Sequence, residues 1–271
     1  MSGLRILAKY TAVGVVLLFF CFPIFWTVLT SIKPLDLIPK SPPVWLFEPT
    51  LEHYWSILTQ RALLSSLWNS LSIAALSTLL ALLVGAPAAY VFARFRFRGK
   101  ESLAFYFLTA RMAPPIAVIL PFFLISRDLG LLDTKFVLII AYMTFNFAFV
   151  IWLRRGFFAE IPSEIDEAAM IDGCSRFGAF VRVVLPLAGP GLVAAAIICF
   201  IFSWNELLFA LILTNLSAKT MPVLAAGFVT DRLVLWGKLC AAAVIIYVPV
   251  MIFALLTRRH LVRGMTLGAI R

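Results

Sequence analysis

Long stretches without a charged residue dominate the chain. Mostly apolar runs occupy Tyr10–Ile32, Ala62–Ala93, Phe136–Leu153, Val183–Asn205 and Leu239–Thr257, and a sixth, Ser102–Ser126, is interrupted only by Arg111. A helix needs about 20 such residues to cross roughly 30 Å of hydrocarbon. The pattern therefore predicts an all-α membrane protein with about six spans, over residues 10–32, 64–93, 102–126, 136–156, 187–212 and 237–257 of a single membrane domain, 1–271. The Ala62–Ala93 run exceeds one crossing, which a projecting start or a tilt accommodates. Arg5 and Lys9 precede the first run, no small-x-small site follows it, and bulky Phe19 and Phe20 stand before Cys21. The run is longer than a signal-peptide core, so a retained first span is expected.

Charge between the runs sets the expected orientation. With the N-terminus inside, the inner connections carry fourteen Lys and Arg residues against eight outside, with Arg94, Arg96, Arg98 and Lys100 crowded at one span end. That asymmetry places both termini in the cytoplasm. The outer segment Pro34–Arg61 is rich in Pro and Trp and reads as an irregular cap. A second outer loop, Asn215–Trp236, is longer than a turn. The spans do not divide into matching halves with paired broken helices, the pointer to an inverted-repeat transporter.

The inner connection between the fourth and fifth runs is the most specified part of the chain. Pro162-Ser163-Glu164-Ile165-Asp166 reads as a helix start, with Ser163 as N-cap and Asp166 in a capping-box-like position. Glu164, Asp166 and Glu167 put negative charge at the positive end of the helix dipole, and Gly173 is suited to end the helix. A stub of roughly nine residues, about 13 Å long, results, followed by a second helical stretch near Ser175–Val184. A stub this short is marginal alone. Either a partner protein accepts it or it lies on lipid as an amphipathic helix.

Composition narrows the function classes. The chain is 63% hydrophobic and 13% charged, with a mean hydropathy of +1.02, against about 25% charged in a soluble domain. The net charge of +10 lies in clusters at the ends of apolar runs, as membrane anchoring demands, and not in a stripe for nucleic acid. Cys21, Cys174, Cys199 and Cys240 have no metal-type spacing and read as small packing residues. A phosphate-cradling loop needs G-x-x-x-x-G-K-[ST]. Gly99-Lys100 is followed by Glu101 and Gly237-Lys238 by Leu239, and neither pair has the upstream glycine. The two histidines, His53 and His260, form no zinc-binding pair, and no G-x-S-x-G elbow occurs. A non-enzyme that binds no cofactor or metal itself is expected.

Polar residues at membrane depth mark pathways by default. Arg111 stands in the third run beside Pro114-Pro115, where lost backbone donors free carbonyls that only protein or a wet cavity tolerates. Lining a solute pathway, an inter-helix ion pair and an interfacial position are its alternatives. Trp204, Asn205 and Glu206 end the fifth run. They offer an aromatic face and hydrogen-bonding groups to a sugar, or equally cap the span and pack on a partner. Asn69, Thr144 and Asn146 are weaker pathway candidates, since Asn and Thr in membranes often bond neighbouring helices.

Glu167-Ala168-Ala169, then Gly173, Val183 and Leu185-Pro186 resemble the EAA loop of permease subunits in ATP-binding-cassette importers, with Val183 where the usual pattern has Ile. Other stretches resemble the carbohydrate-uptake branch, in particular the smaller permease of the maltose-transporter type. These are Arg111-Met112-Ala113-Pro114-Pro115 with Pro121, Ser203–Leu211, Trp236-Gly237-Lys238-Leu239 with Ala241-Ala242 and Pro249, and the tail Leu261–Ala269. The resemblance covers nearly the whole chain and is weakest over Pro34–Arg61.

The resemblance implies a type I importer permease fold in a bacterial inner membrane. It implies a cytoplasmic coupling helix within 158–186, with Glu167, Ala168, Ala169, Asp172 and Gly173 docking on an ATPase dimer that carries ATP-Mg. The tail, 258–271, becomes a second ATPase contact through Gly264, Thr266 and Gly268. A second, different permease related by a pseudo-twofold axis and an extracytoplasmic solute-binding protein complete the machine. The expected cargo is a sugar, oligosaccharide or polyol, passing Arg111, Asn146, Trp204, Asn205 and Glu206. Arg111 leaves open an anionic solute such as glycerol phosphate or an acidic sugar. A stand-alone secondary transporter is the competing class, against which the EAA spacing argues.

Overall fold

The computed structural model describes residues 2–152 and 158–266, with side chains described for 5–152 and 158–255. Among the described residues every regular element is helical except one isolated bridge, Val229 to Val234. In chain order the helices are α1 (Ser2–Ser31), α2 (Glu52–Leu58), α3 (Arg61–Arg94), α4 (Lys100–Met112), α5 (Pro115–Asp128) and α6 (Lys135–Trp152). Then come α7 (Glu164–Ile171), α8 (Arg176–Leu187), α9 (Gly189–Trp204), α10 (Leu208–Leu213), α11 (Met221–Ala226) and α12 (Trp236–Thr266).

Within α1, α3, α6 and α12 lie four stretches long and apolar enough to cross a membrane, and two bent pairs raise the number to six. The first pair lies where a single span, 102–126, was expected, and the second joins the helical stretch expected before the fifth span to the start of that span. α4 and α5 meet at 92° and α8 and α9 at 76°. Proline explains both places. Pro114 and Pro115 supply no N–H to continue α4, while Pro115 starts α5 where a donor is not needed. Pro190 likewise falls in the first turn of α9. Over 187–212 a second interruption, at Asn205–Leu207, separates α9 from the six-residue α10.

Two compact units divide the chain: Met1–Ser65 with Met221–Pro249, and Ser66–Thr220 with Val250–Arg271. In the first, an 18-residue apolar window of α1 contains no buried residue, while Thr30 and Ser31 at the end of the helix are buried. The segment after it is pinned by His53, whose Nε2 lies 2.9 Å from the Lys33 carbonyl. The Lys33 ammonium sits over the rings of Trp26 and Phe47, at 5.4 and 5.2 Å from their centroids. Gly237 closes the arrangement, because a Cβ there would land on the His53 ring.

In the second unit the close approach of α3 and α6 rests on Gly85, whose missing Cβ leaves room for Val150. A compact apolar core joins the end of α3 to α8 and the start of α9 through Ala86, Ala89, Tyr90, Phe158, Phe180, Val184 and Ala188. That core carries α7. The second unit therefore contains both a polar cavity among α4, α6, α9 and α10 and the α7 stub.

Candidate functional site

The cavity arises where the helices break. Arg111 in the last turn of α4, Tyr142 and Asn146 on α6, Phe202 and Ser203 at the end of α9, and Glu206 in the break before α10 surround a space of about 340 Å³. A smaller apolar cavity of about 210 Å³ shares Arg111, Ala113, Phe145 and Phe209 with it.

Most polar groups of the cavity are satisfied from within. The Asn146 amide donates to Ser203 Oγ at 2.8 Å and approaches the Cys199 carbonyl at 3.5 Å. Ser77 of α3 also donates to Ser203 Oγ, at 3.1 Å, so a buried polar thread runs from α3 through α9 to α6. The Glu206 carboxylate accepts the N–H groups of Phe209 at 3.1 Å and Ala210 at 3.3 Å, capping α10, and accepts the Tyr142 hydroxyl at 3.0 Å. A charged acceptor is the strongest cap for free N–H groups at a helix start.

Arg111 is the exception. Its guanidinium lies 4.7 Å from the Phe202 ring centroid and 6.0 Å from that of Phe149. Among the described residues it has no carboxylate partner. Ring faces attract a cation but do not use its N–H donors. The cavity thus combines aromatic walls with a guanidinium that has no carboxylate partner among the described residues.

The other candidates fall outside this cavity's lining. Trp204 is fully buried and stacked on Phe200 at 5.8 Å. Asn205 is exposed and returns its amide to the Ile201 carbonyl at 3.0 Å. Asn69 binds the carbonyls of Ser217 and Lys219, and the Thr144 hydroxyl bonds the Ile140 carbonyl. Of the five residues expected in the pathway, Arg111, Asn146 and Glu206 converge.

The α7 stub has the expected length and stop. Gly173 adopts φ +89°, with Cys174 N–H on the Ala169 carbonyl and Gly173 N–H on that of Met170, the Schellman closure that favours glycine. Its start differs from expectation. Ser163 is itself helical and its side chain makes no cap. Asp166 is not in a capping box. It turns inward, accepts the Tyr90 hydroxyl at 2.6 Å and pairs with Arg94 Nε at 2.7 Å. That pair is electrostatic contact more than a directed bond, since the N–H does not line up on the oxygen. Ala169 is buried too, while Glu167, Ala168, Asp172 and Gly173 are exposed. Two apolar side chains that the sequence reading did not single out stand free beside them: Ile171, 85% exposed, and Phe177, 72% exposed.

A third feature had no signal in the sequence. Asp133, between α5 and α6, holds φ +57°. Its carboxylate accepts the backbone N–H groups of Asn215, Leu216, Ser217 and Ala218 at 2.9–3.2 Å. Partial burial alone raises its pKa. The N–H groups of Ser217, Asn215, Ala218 and Leu216 outweigh that and hold it well below the usual carboxylate range. With Asn69 on the carbonyl side, the loop is fixed from both faces.

Gly264 and Thr266 lie in the last turns of α12, where side chains are not described, and Gly268 lies outside the described residues.

Comparison with known proteins decides the family. Residues 81–267 match the model of the binding-protein-dependent transport system inner membrane component. The chain belongs to that family. This permease is 39% identical over 253 residues to a probable ABC transporter permease protein, y4oR, of Sinorhizobium fredii, covering 93% of the chain and 91% of the relative. It is 38% identical over 252 residues to the trehalose transport system permease protein SugB of Mycobacterium tuberculosis, covering 92% of each. Among solved structures it matches a chain of a bacterial ABC transporter involved in import of the acidic polysaccharide alginate, with TM-score 0.73, 26% identity and coverage of 94% and 96%. The importer permease fold expected from the EAA-like loop is therefore present. The relatives are transport permeases, and this chain is a transport component and not an enzyme.

Proposed function

We propose that this permease forms half of the pathway of an ATP-driven, binding-protein-dependent importer for a sugar, oligosaccharide or polyol. The observation that carries this reading is the cavity at the α4–α5 break, where aromatic walls face a free guanidinium. Aromatic faces suit the C–H surface of a sugar ring, and Arg111 supplies donors for hydroxyl oxygens. The trehalose and alginate systems named above are saccharide importers, which supports the assignment.

The chain acts as a single membrane domain, both termini cytoplasmic, beside a second permease. Its α7 stub is the coupling helix, inserted in a cleft of the ATPase dimer that carries ATP-Mg. Glu167, Ala168, Asp172 and Gly173 meet that cleft, with Ala169 as the small inward residue on which the stub seats. The tail with Gly264, Thr266 and Gly268 is a second contact. The Asp133-clamped loop faces the extracytoplasmic binding protein.

A second reading, an anionic solute, is favoured by one observation: Arg111 faces the cavity with no acidic partner among the described residues. A thermal-shift screen of the binding protein that co-purifies with the complex tests both. Stabilisation by neutral saccharides or polyols supports the first reading, and by acidic sugars or sugar phosphates the second. Stabilisation only by amino acids or metal ions refutes both.

A further inference from the structure

Asp166 is the one acidic residue of the stub that is buried, at 7% exposure, and its partners both lie at the end of α3. Tyr90 and Arg94 are four residues apart and so share a face of that helix. Arg94 also reaches the Pro162 carbonyl at 3.4 Å, holding the chain as it enters the stub. Around the clamp, the Tyr90 ring packs on Phe180 at 4.8 Å, Phe158 at 6.0 Å and Phe95 at 6.2 Å. Ala169, the stub's other buried side chain, offers only a methyl group.

The same helix reaches the cavity. Ser77, midway along α3, lies thirteen residues before Tyr90, about 20 Å along a stretch that includes Pro87, and donates to Ser203, which also receives Asn146. Stub, helix and cavity wall are thus joined by polar contacts to the same helix, at Tyr90 and Arg94 on one side of Pro87 and at Ser77 on the other. Between these contacts the helix is closely packed, Gly85 against Val150 and Ala86, Ala89 and Tyr90 in the apolar core, so displacement of the stub passes along it.

We propose that Asp166 is a positioning residue that locks the stub to α3 through Tyr90 and Arg94, so that displacement of the stub moves the cavity wall. The inference rests on the reading of α7 as the ATPase contact. It adds which residues of the chain carry the motion inward from it. It assigns no solute contact to Asp166.

The test uses the whole importer in lipid nanodiscs, with hydrogen exchange read at residues 109–117 and 199–206 without nucleotide and with ATP-Mg plus orthovanadate. Asp166→Asn and Tyr90→Phe each remove one polar contact and keep the shape. In both, the ATPase subunit is expected to stay bound and hydrolyse ATP. The nucleotide-dependent change in exchange is expected to fall about tenfold, on the scale of a coupling between sites. The double variant should lose no more than either single one, because the two groups act as one clamp. Full nucleotide response in both variants would overturn the proposal. So would dissociation of the ATPase from either variant, which would make the clamp only a support for folding the stub. If the unaltered complex shows no nucleotide response, or Glu167→Lys still binds the ATPase fully, the coupling reading fails and the clamp falls with it.

Discussion

The Tyr142 hydroxyl donates to Glu206 Oε2 at 3.0 Å, which joins α6 to the cap of α10 across the wall of the cavity. The same carboxylate holds the first N–H groups of α10. Glu206→Ala therefore strands buried donors and is expected to destabilise the permease by about 1–3 kcal/mol. Glu206→Gln keeps an acceptor oxygen and should lose less than half as much. Thermal unfolding of the two variants in one detergent checks the order, and equal melting temperatures would contradict the cap.

Arg111 separates the two cargo readings. If the solute is neutral, Arg111→Gln keeps hydrogen-bond donors and should weaken uptake only modestly. If it is anionic, the same change removes a charge-assisted contact that is about twice as strong as a neutral one, and uptake should fall steeply. Arg111→Lys should not fully restore it, since the ammonium lacks the planar fork. Uptake kinetics in vesicles with the solute found by the binding-protein screen give the answer.

The Asp133 clamp makes a pH-dependent loop. Its folded pKa is depressed, so the stabilisation is fully present above the unfolded value of about 3.9 and is lost as pH falls below it. Between pH 5 and 8 protection of residues 214–218 should be flat in the unaltered protein. It should collapse only in strongly acid solution. Asp133→Ala should show weak protection at every pH. Hydrogen exchange across that segment checks both, and strong protection of the alanine variant would contradict the clamp.

Gly237 lies against His53, and an added methyl group has no room. Gly237→Ala should destabilise the protein by about 1–3 kcal/mol, the usual effect of overpacking. The double change His53→Ala/Gly237→Ala should recover part of the loss. Melting temperatures of the single and double variants test this.

The parts of the molecule legible in the sequence are those set by local physics. Gly173 ends α7 because only a few residues tolerate its backbone angle. Pro114 and Pro115 mark a break from their missing donors, although the 92° bend was not foreseeable from them. Arg111 stood out as a charge in an apolar run, and the structure sets it in a cavity with Asn146 and Glu206. Spacing alone makes Asp166 a capping residue, because it sees only neighbours along the chain, while its partners Tyr90 and Arg94 lie at the end of α3. Asp133 was unreadable for the same reason, since its partners are backbone groups more than 80 residues away. Ile171 and Phe177 look like ordinary apolar positions until the packing of the stub leaves them outside.

The central claim is that the exposed face of α7 engages an ATPase subunit and that this contact drives transport. The most direct measurement is co-purification of the ATPase with the permease, together with ATP-dependent uptake, for Glu167→Lys and Ile171→Asp. Both alter only side chains exposed on the stub. Loss of the bound ATPase and of uptake, with the permease still folded and in the membrane, is the expected result. Normal ATPase binding and normal uptake in both variants would contradict the account.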